Sequence, residues 1–139
     1  MTTDVSKTRN YPVSNSQRAK ILARIQADRA NKVQRLEAMR HRQQLGMEIA
    51  KQAAQILKEQ FQVKRVVVFG SLLNVESMHE HSDIDIAVWG LADDQLLSAW
   101  STLDTNLDFQ AAFPYIDLVP AEKAFPYIQN SIEKTHLEL

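Results

Sequence analysis

Val66-Val67-Val68-Phe69-Gly70-Ser71, followed after eleven residues by Asp83-Ile84-Asp85-Ile86-Ala87-Val88-Trp89, decides how the rest of this chain is read. The first run is apolar on every residue and rich in β-branched side chains, which predicts a strand covered on both faces and ending at Gly70. The second alternates with period two, which predicts a strand with one polar and one apolar face. Asp83 and Asp85 stand at i and i+2, so both project from the same face, about 6.6 Å apart along the backbone. Carboxylates whose oxygens converge to ~6 Å repel by roughly 2.8 kcal/mol at an effective dielectric of 20. A divalent cation removes that repulsion, and magnesium takes carboxylate oxygens while leaving positions for substrate phosphates. The plainer reading is a half-exposed strand with a solvated acidic face. Gly70-Ser71 has two readings as well. Glycine lets the backbone approach a ligand, and a serine hydroxyl with N–H groups at a helix start suits phosphate oxygens. The pair also serves as an ordinary strand-to-helix turn with Ser71 as the cap.

Downstream, Asp93 to Asn106 has helical spacing, with Leu96, Leu97, Trp100 and Leu103 on one side. Tyr115 to Val119 reads as a third short strand stopped by Pro120. Asp117 stands between Ile116 and Leu118. If buried, it needs a cation or several donors; otherwise it points outward from an edge strand. A last helix, Pro126 to Thr135, turns Ile128 and Ile132 inward, and Leu137 and Leu139 suit a short final strand. Upstream, Ser14-x-x-Gln17 fits a capping box and starts a helix near Asn15. No proline and one glycine, Gly46, follow before Gln60. One helix over that span would be about 69 Å long, against a diameter of roughly 37 Å for a compact domain of this size. The helix is therefore expected to break, at Gly46 or at Asn31, or else to protrude. Leu22, Ile25, Val33 and Leu36 make a thin stripe in its first part, and Ile49, Ala53, Ile56 and Leu57 a fuller one in its second. The expected fold is α/β (α+β): a small mixed sheet flanked by helices, with a short helix after Ser71 and an N-terminal helical extension. The expected division is a disordered tail, 1–14, a basic helical arm, 15–44, and a domain, 45–139.

Composition narrows the chemistry. At 139 residues and 45% hydrophobic, the chain builds one core. It has no cysteine, which excludes a disulfide framework, a thiolate metal site and a cysteine nucleophile. Without a signal-peptide core or a membrane-length apolar run, it reads as cytoplasmic and not membrane-bound. The net charge of −1 hides a division: residues 16–65 hold twelve Lys/Arg against four acids, and residues 66–139 hold two against twelve. An acidic site that gathers cations and a basic surface for a partner would give that pattern, as would two halves that neutralise each other on folding.

Taken together, the apolar run with Gly70-Ser71, the eleven-residue gap, Asp83-x-Asp85 and the later Ile116-Asp117-Leu118 resemble the polymerase-beta-like nucleotidyltransferase superfamily. The small size is similar to the minimal nucleotidyltransferases (MNT), which act as antitoxins beside HEPN toxins. The resemblance covers about residues 45–139 and implies a nucleotidyltransferase fold. By position, it implies that Gly70 and Ser71 hold the triphosphate of ATP. Asp83 and Asp85 would ligate Mg²⁺, and Asp117 would complete a second metal site or act as base, giving two ions in all. The family's usual turn continues with an arginine and another glycine, where this chain has Leu72-Leu73-Asn74. The gap to the first aspartate is one residue longer than the commonest.

The resemblance further implies AMP transfer from ATP to a tyrosine hydroxyl of a HEPN ribonuclease toxin, which is thereby neutralised. The short stretch after Asp117 favours an acceptor brought by a partner, in a hetero-oligomer. The alternatives are a catalytically idle antitoxin that covers its toxin, or a small RNA-binding regulator using the basic arm. Arg18, Lys20, Arg24, Arg35, Arg40 and Arg42 have few aromatic neighbours, so a docking or solvated face is the better reading than a direct nucleic-acid ligand. Trp89, Trp100 and Phe109 are assigned to the core, and His79-x-His81 lacks a convincing third metal ligand.

Overall fold

The computed structural model describes residues 12–107 and 115–139. The tail before residue 12 and Phe109 lie outside the described residues. The chain divides into two compact units, Met1–Arg35 and Leu36–Leu139.

In the first unit, the capping box forms as the sequence predicts. The Ser14 N–H donates to Gln17 Oε1 (2.9 Å) and the Gln17 N–H donates to Ser14 Oγ (3.2 Å), so two otherwise unpaired groups at the start of α1 (Asn15–Phe61) are satisfied. Ile21, Leu22, Ile25 and Val33 are all exposed. Of the two outcomes expected for this helix, a break or a protrusion, the break does not occur: α1 is unbroken through Asn31 and Gly46. An internal glycine costs a helix only about 1 kcal/mol relative to alanine. Gly46 is also buried in the helix, among the positions that face the core.

The second unit is built on a four-stranded sheet in the order β3-β2-β1-β4. Its strands are β1 (Arg65–Phe69), β2 (Ile84–Trp89), β3 (Ile116–Pro120) and β4 (His136–Glu138). β1 pairs antiparallel with β2 and β4, and β2 pairs parallel with β3. The helices α2 (Leu96–Asn106) and α3 (Pro126–Lys134) fall where the sequence places them. The short helix expected after Ser71 is instead two 3-10 turns, Gly70–Leu73 and Val75–Ser77.

Strand alternation sends Val66, Val68, Ile84, Ile86 and Val88 to one core, with Ile49, Ala50, Ala53 and Leu57 of α1 and Ala99 and Leu103 of α2. Val67, Phe69 and Ala87 go to the other face, against Ala121 and Ile132. Both faces of β1 are thus covered, as its apolar run requires. Trp89 is half-buried beside this second cluster, with the Arg65 guanidinium 4.3 Å from its ring centroid. Trp100 departs from the sequence reading: it is 45% exposed, and Leu97 is 72% exposed, so α2 buries a narrower face than its spacing predicts.

Candidate active site

The three aspartates predicted from sequence come together at one end of the sheet. In the register, Asp85 faces Asp117 across the β2–β3 pair and Phe69 across the β1–β2 pair. Asp85 therefore stands on an inner strand, with Gly70 on one side and Asp117 on the other. It shares a sheet face with Ala87, two residues along the strand, and Asp83 precedes the strand with the same parity.

Gly70 lies directly over Asp85. Its φ is +78°, and a Cβ there would overlap Asp85 Oδ2 and lie 3.2 Å from Asp85 Cγ. Glycine is required twice here, for the left-handed backbone and for the space its missing side chain leaves to the carboxylate. The sequence motif of a strand ending in glycine and the motif of paired aspartates are thus one structure.

Burial places Asp85 in a poor environment for charge. Loss of solvent, then the nearby charge of Asp117, then that of Asp83, push its carboxyl up to about 6. Asp117 departs from one of the two alternatives for it: it lies on an edge strand and is exposed, so the desolvated acid of the set is Asp85. Between about pH 4 and pH 6 the native protein holds the Asp85 proton more tightly than the unfolded chain, so stability falls as pH rises through that window. Asp85→Asn, which cannot ionise, is expected to melt several degrees above the wild type at pH 7 in EDTA, with the difference vanishing near pH 4. A calorimetric difference that did not change with pH would remove the electrostatic account.

The carboxylates fit a hard divalent cation. Their oxygens match what magnesium prefers, and a cation would relieve the repulsion that adds to the effect of burial on Asp85. Among the described residues no group of three or more His, Cys, Asp or Glu side chains is placed to hold a metal ion. Magnesium bound by one or two carboxylates and substrate phosphates does not require one. His79 Nδ1 is engaged within its own loop, accepting from the His81 backbone N–H (3.2 Å), and the His79 backbone N–H donates to Ser82 Oγ (2.9 Å).

Two residues that sequence reasoning assigned to the basic arm hold this end of the sheet in place. Arg42 Nη2 donates to the carbonyl of Ser82 (3.0 Å), the residue before Asp83, and Gln43 Nε2 donates to the carbonyl of Leu72 (2.8 Å) in the turn after Ser71. Burial lowers the Arg42 guanidinium's pKa, while Asp83 and Glu80 act in the opposite direction. A signal for both existed. The buried positions Met39, Gly46, Ile49, Ala50, Ala53 and Leu57 follow helical spacing, and that spacing also passes through 42 and 43. Two polar residues on a core-facing helix stripe mark a place where the helix holds something polar.

Beyond Asp117, a cleft of about 550 Å³ opens along the outer edge of β3. Leu97 and Trp100 of α2, Tyr115, Asp83 and Asp117 all line it.

Residues 51–139 match the family of polymerase beta nucleotidyltransferases. The chain belongs to that family. The match takes in Gly70, Ser71 and all three aspartates, and the mixed four-stranded sheet with its helices is a nucleotidyltransferase fold. One similar solved structure is described as a crystal structure of the toxin-antitoxin with AMP-PNP. It is 22% identical, covers 63% of this chain and 69% of its own, and has a TM-score of 0.48. No curated protein matches the chain in sequence.

Proposed function

We propose that this nucleotidyltransferase transfers AMP from ATP to a tyrosine hydroxyl of a HEPN ribonuclease toxin, and so acts as the antitoxin of a toxin-antitoxin pair in the cytoplasm. The observation that supports the enzymatic part is the Asp85 carboxylate packed against Gly70, raised first by burial and then by the charges of Asp117 and Asp83. A purely structural acidic face has no need of a desolvated aspartate between two others. The protein acceptor and the toxin rest on the resemblance of the motif set to the minimal nucleotidyltransferases.

In this reading Ser71 and the turn's backbone N–H groups hold the β- and γ-phosphates. Asp83 and Asp85 would hold Mg²⁺, with Asp117 sharing a second ion or serving as base. Magnesium would supply neutralisation of the phosphate charge. The acceptor oxygen attacks the α-phosphorus, the bond from that phosphorus to the bridging oxygen breaks, and pyrophosphate leaves with the electron pair. The acceptor's proton passes to Asp117, which is exposed and so can release it to water. Positioning and electrostatics carry the rate, since the chemistry has little else for the protein to do.

Intact-mass spectrometry tests this on the product of the neighbouring gene after co-expression with this chain. Mass added in steps of one adenosine monophosphate, absent with Asp83→Asn, is the expected result. An unmodified partner that is nevertheless silenced would favour an antitoxin acting by steric cover.

A further inference from the structure

The cleft beyond Asp117 has a composition unlike that of a phosphate site. Among the described residues no lysine or arginine lines it, while Asp83 and Asp117 do. Asp93, a third acid on its wall, is ion-paired with Lys123. Its apolar side is made of large side chains that a monomer gains little by exposing: Leu97 is 72% exposed, Tyr115 61% and Trp100 45%. Trp100 is nonetheless held, because its indole N–H donates to the carbonyl of Ile116 (3.2 Å) on β3. Fixed aromatic and aliphatic groups beside charged ones are the mark of a recognition pocket. The volume of about 550 Å³ is that of a site for a group the size of a side chain with its flanking residues.

Its position says which group. The sheet order places β1 and β3 on opposite sides of β2, so the Gly70-Ser71 turn and the cleft flank Asp85 from opposite sides. In-line displacement at phosphorus requires the attacking and leaving oxygens on opposite sides of the reacting atom. If pyrophosphate leaves over the turn, the attacking hydroxyl arrives from the cleft, past Asp117. We infer that the cleft between α2 and the edge of β3 is the acceptor subsite, and that Leu97, Trp100 and Tyr115 select an aromatic hydroxyl-bearing side chain there. The inference rests on the functional reading above for the direction of attack.

The test reads binding rather than transfer, so it stays decisive if the toxin reading fails. The chain's two tryptophans give two indole N–H signals in a ¹H–¹⁵N spectrum, and Trp89→Phe identifies that of Trp100. N-acetyl-L-tyrosinamide is expected to move the Trp100 signal saturably. Leu97→Glu, at an exposed position where the fold is not at stake, should weaken that binding at least about fivefold. Mg²⁺ with AMP-PNP should move the amides of Gly70 and Ser71 and leave the Trp100 indole in place. Movement of Trp100 by AMP-PNP and not by the tyrosinamide would make the cleft a nucleobase site. Movement by neither would remove it from the reaction, and each of these two results overturns the proposal.

Discussion

Asp85→Asn should reduce nucleotidyl transfer at least about a thousandfold, equivalent to roughly 4 kcal/mol of transition-state stabilisation, while the protein stays folded. Asparagine keeps the shape that packs under Gly70 and retains an oxygen that can touch a cation. It loses the charge, and with it the capacity to offset what develops on the α-phosphate. Asp85 is the member of the set for which this loss should be largest. It lies on an inner strand between Asp117 and the turn, and it is the acid that burial has most deprived of water. The thermal measurement described above supplies the control, since a variant that melts higher than the wild type cannot owe its inactivity to unfolding. Retention of more than about a tenth of wild-type transfer with Mg²⁺ in excess would take Asp85 out of the reaction.

Gly70→Ala is expected to damage fold and activity together. Adopting φ +78° costs a residue with a Cβ about 1–2 kcal/mol. The added methyl must also displace the Asp85 carboxylate or the turn itself. Either movement shifts the proposed phosphate-holding turn relative to the aspartates, and displacements of about 1 Å cost a positioned reaction on the order of a hundredfold. A double-mutant cycle separates the two causes. Asp85→Ala removes the clash but not the backbone strain, so Gly70→Ala should destabilise Asp85→Ala protein distinctly less than it destabilises the wild type. Equal destabilisation in both backgrounds would show that the contact with Asp85 contributes nothing and that only the left-handed conformation demands glycine.

Much of this architecture was legible residue by residue, and the reasons differ between elements. β1 and β2 were readable because burial on two faces and on one face leave different periods, continuous in Val66–Phe69 and alternating from Asp83 to Trp89. The start of α1 was readable because a capping box is a local exchange between Ser14 and Gln17. Its continuity through Gly46 was not, because a glycine's cost is small and is outweighed by tertiary packing. The exposure of Trp100 is not legible for a related reason. Helical spacing shows which residues share a side of α2, but how much of that side is covered depends on the width of what lies against it.

The sequence by itself determined the order of strands, the carboxylates at i and i+2 and the glycine that ends β1, since each is a property of neighbours along the chain. Pairing was decided only in three dimensions. Asp85 meets Asp117 because β2 and β3 run parallel in a register that the 31 residues of intervening chain do not encode locally. Gly70 must be glycine partly because a carboxylate from another strand occupies the place of its side chain. Arg42 and Gln43 hold the two loops of the site because α1 packs beside them. The cleft brings Leu97 and Trp100 of α2 to the same place as Asp83 and Asp117. These are long-range relations, set by how buried faces fit together, and a one-dimensional pattern carries the faces but not the fit.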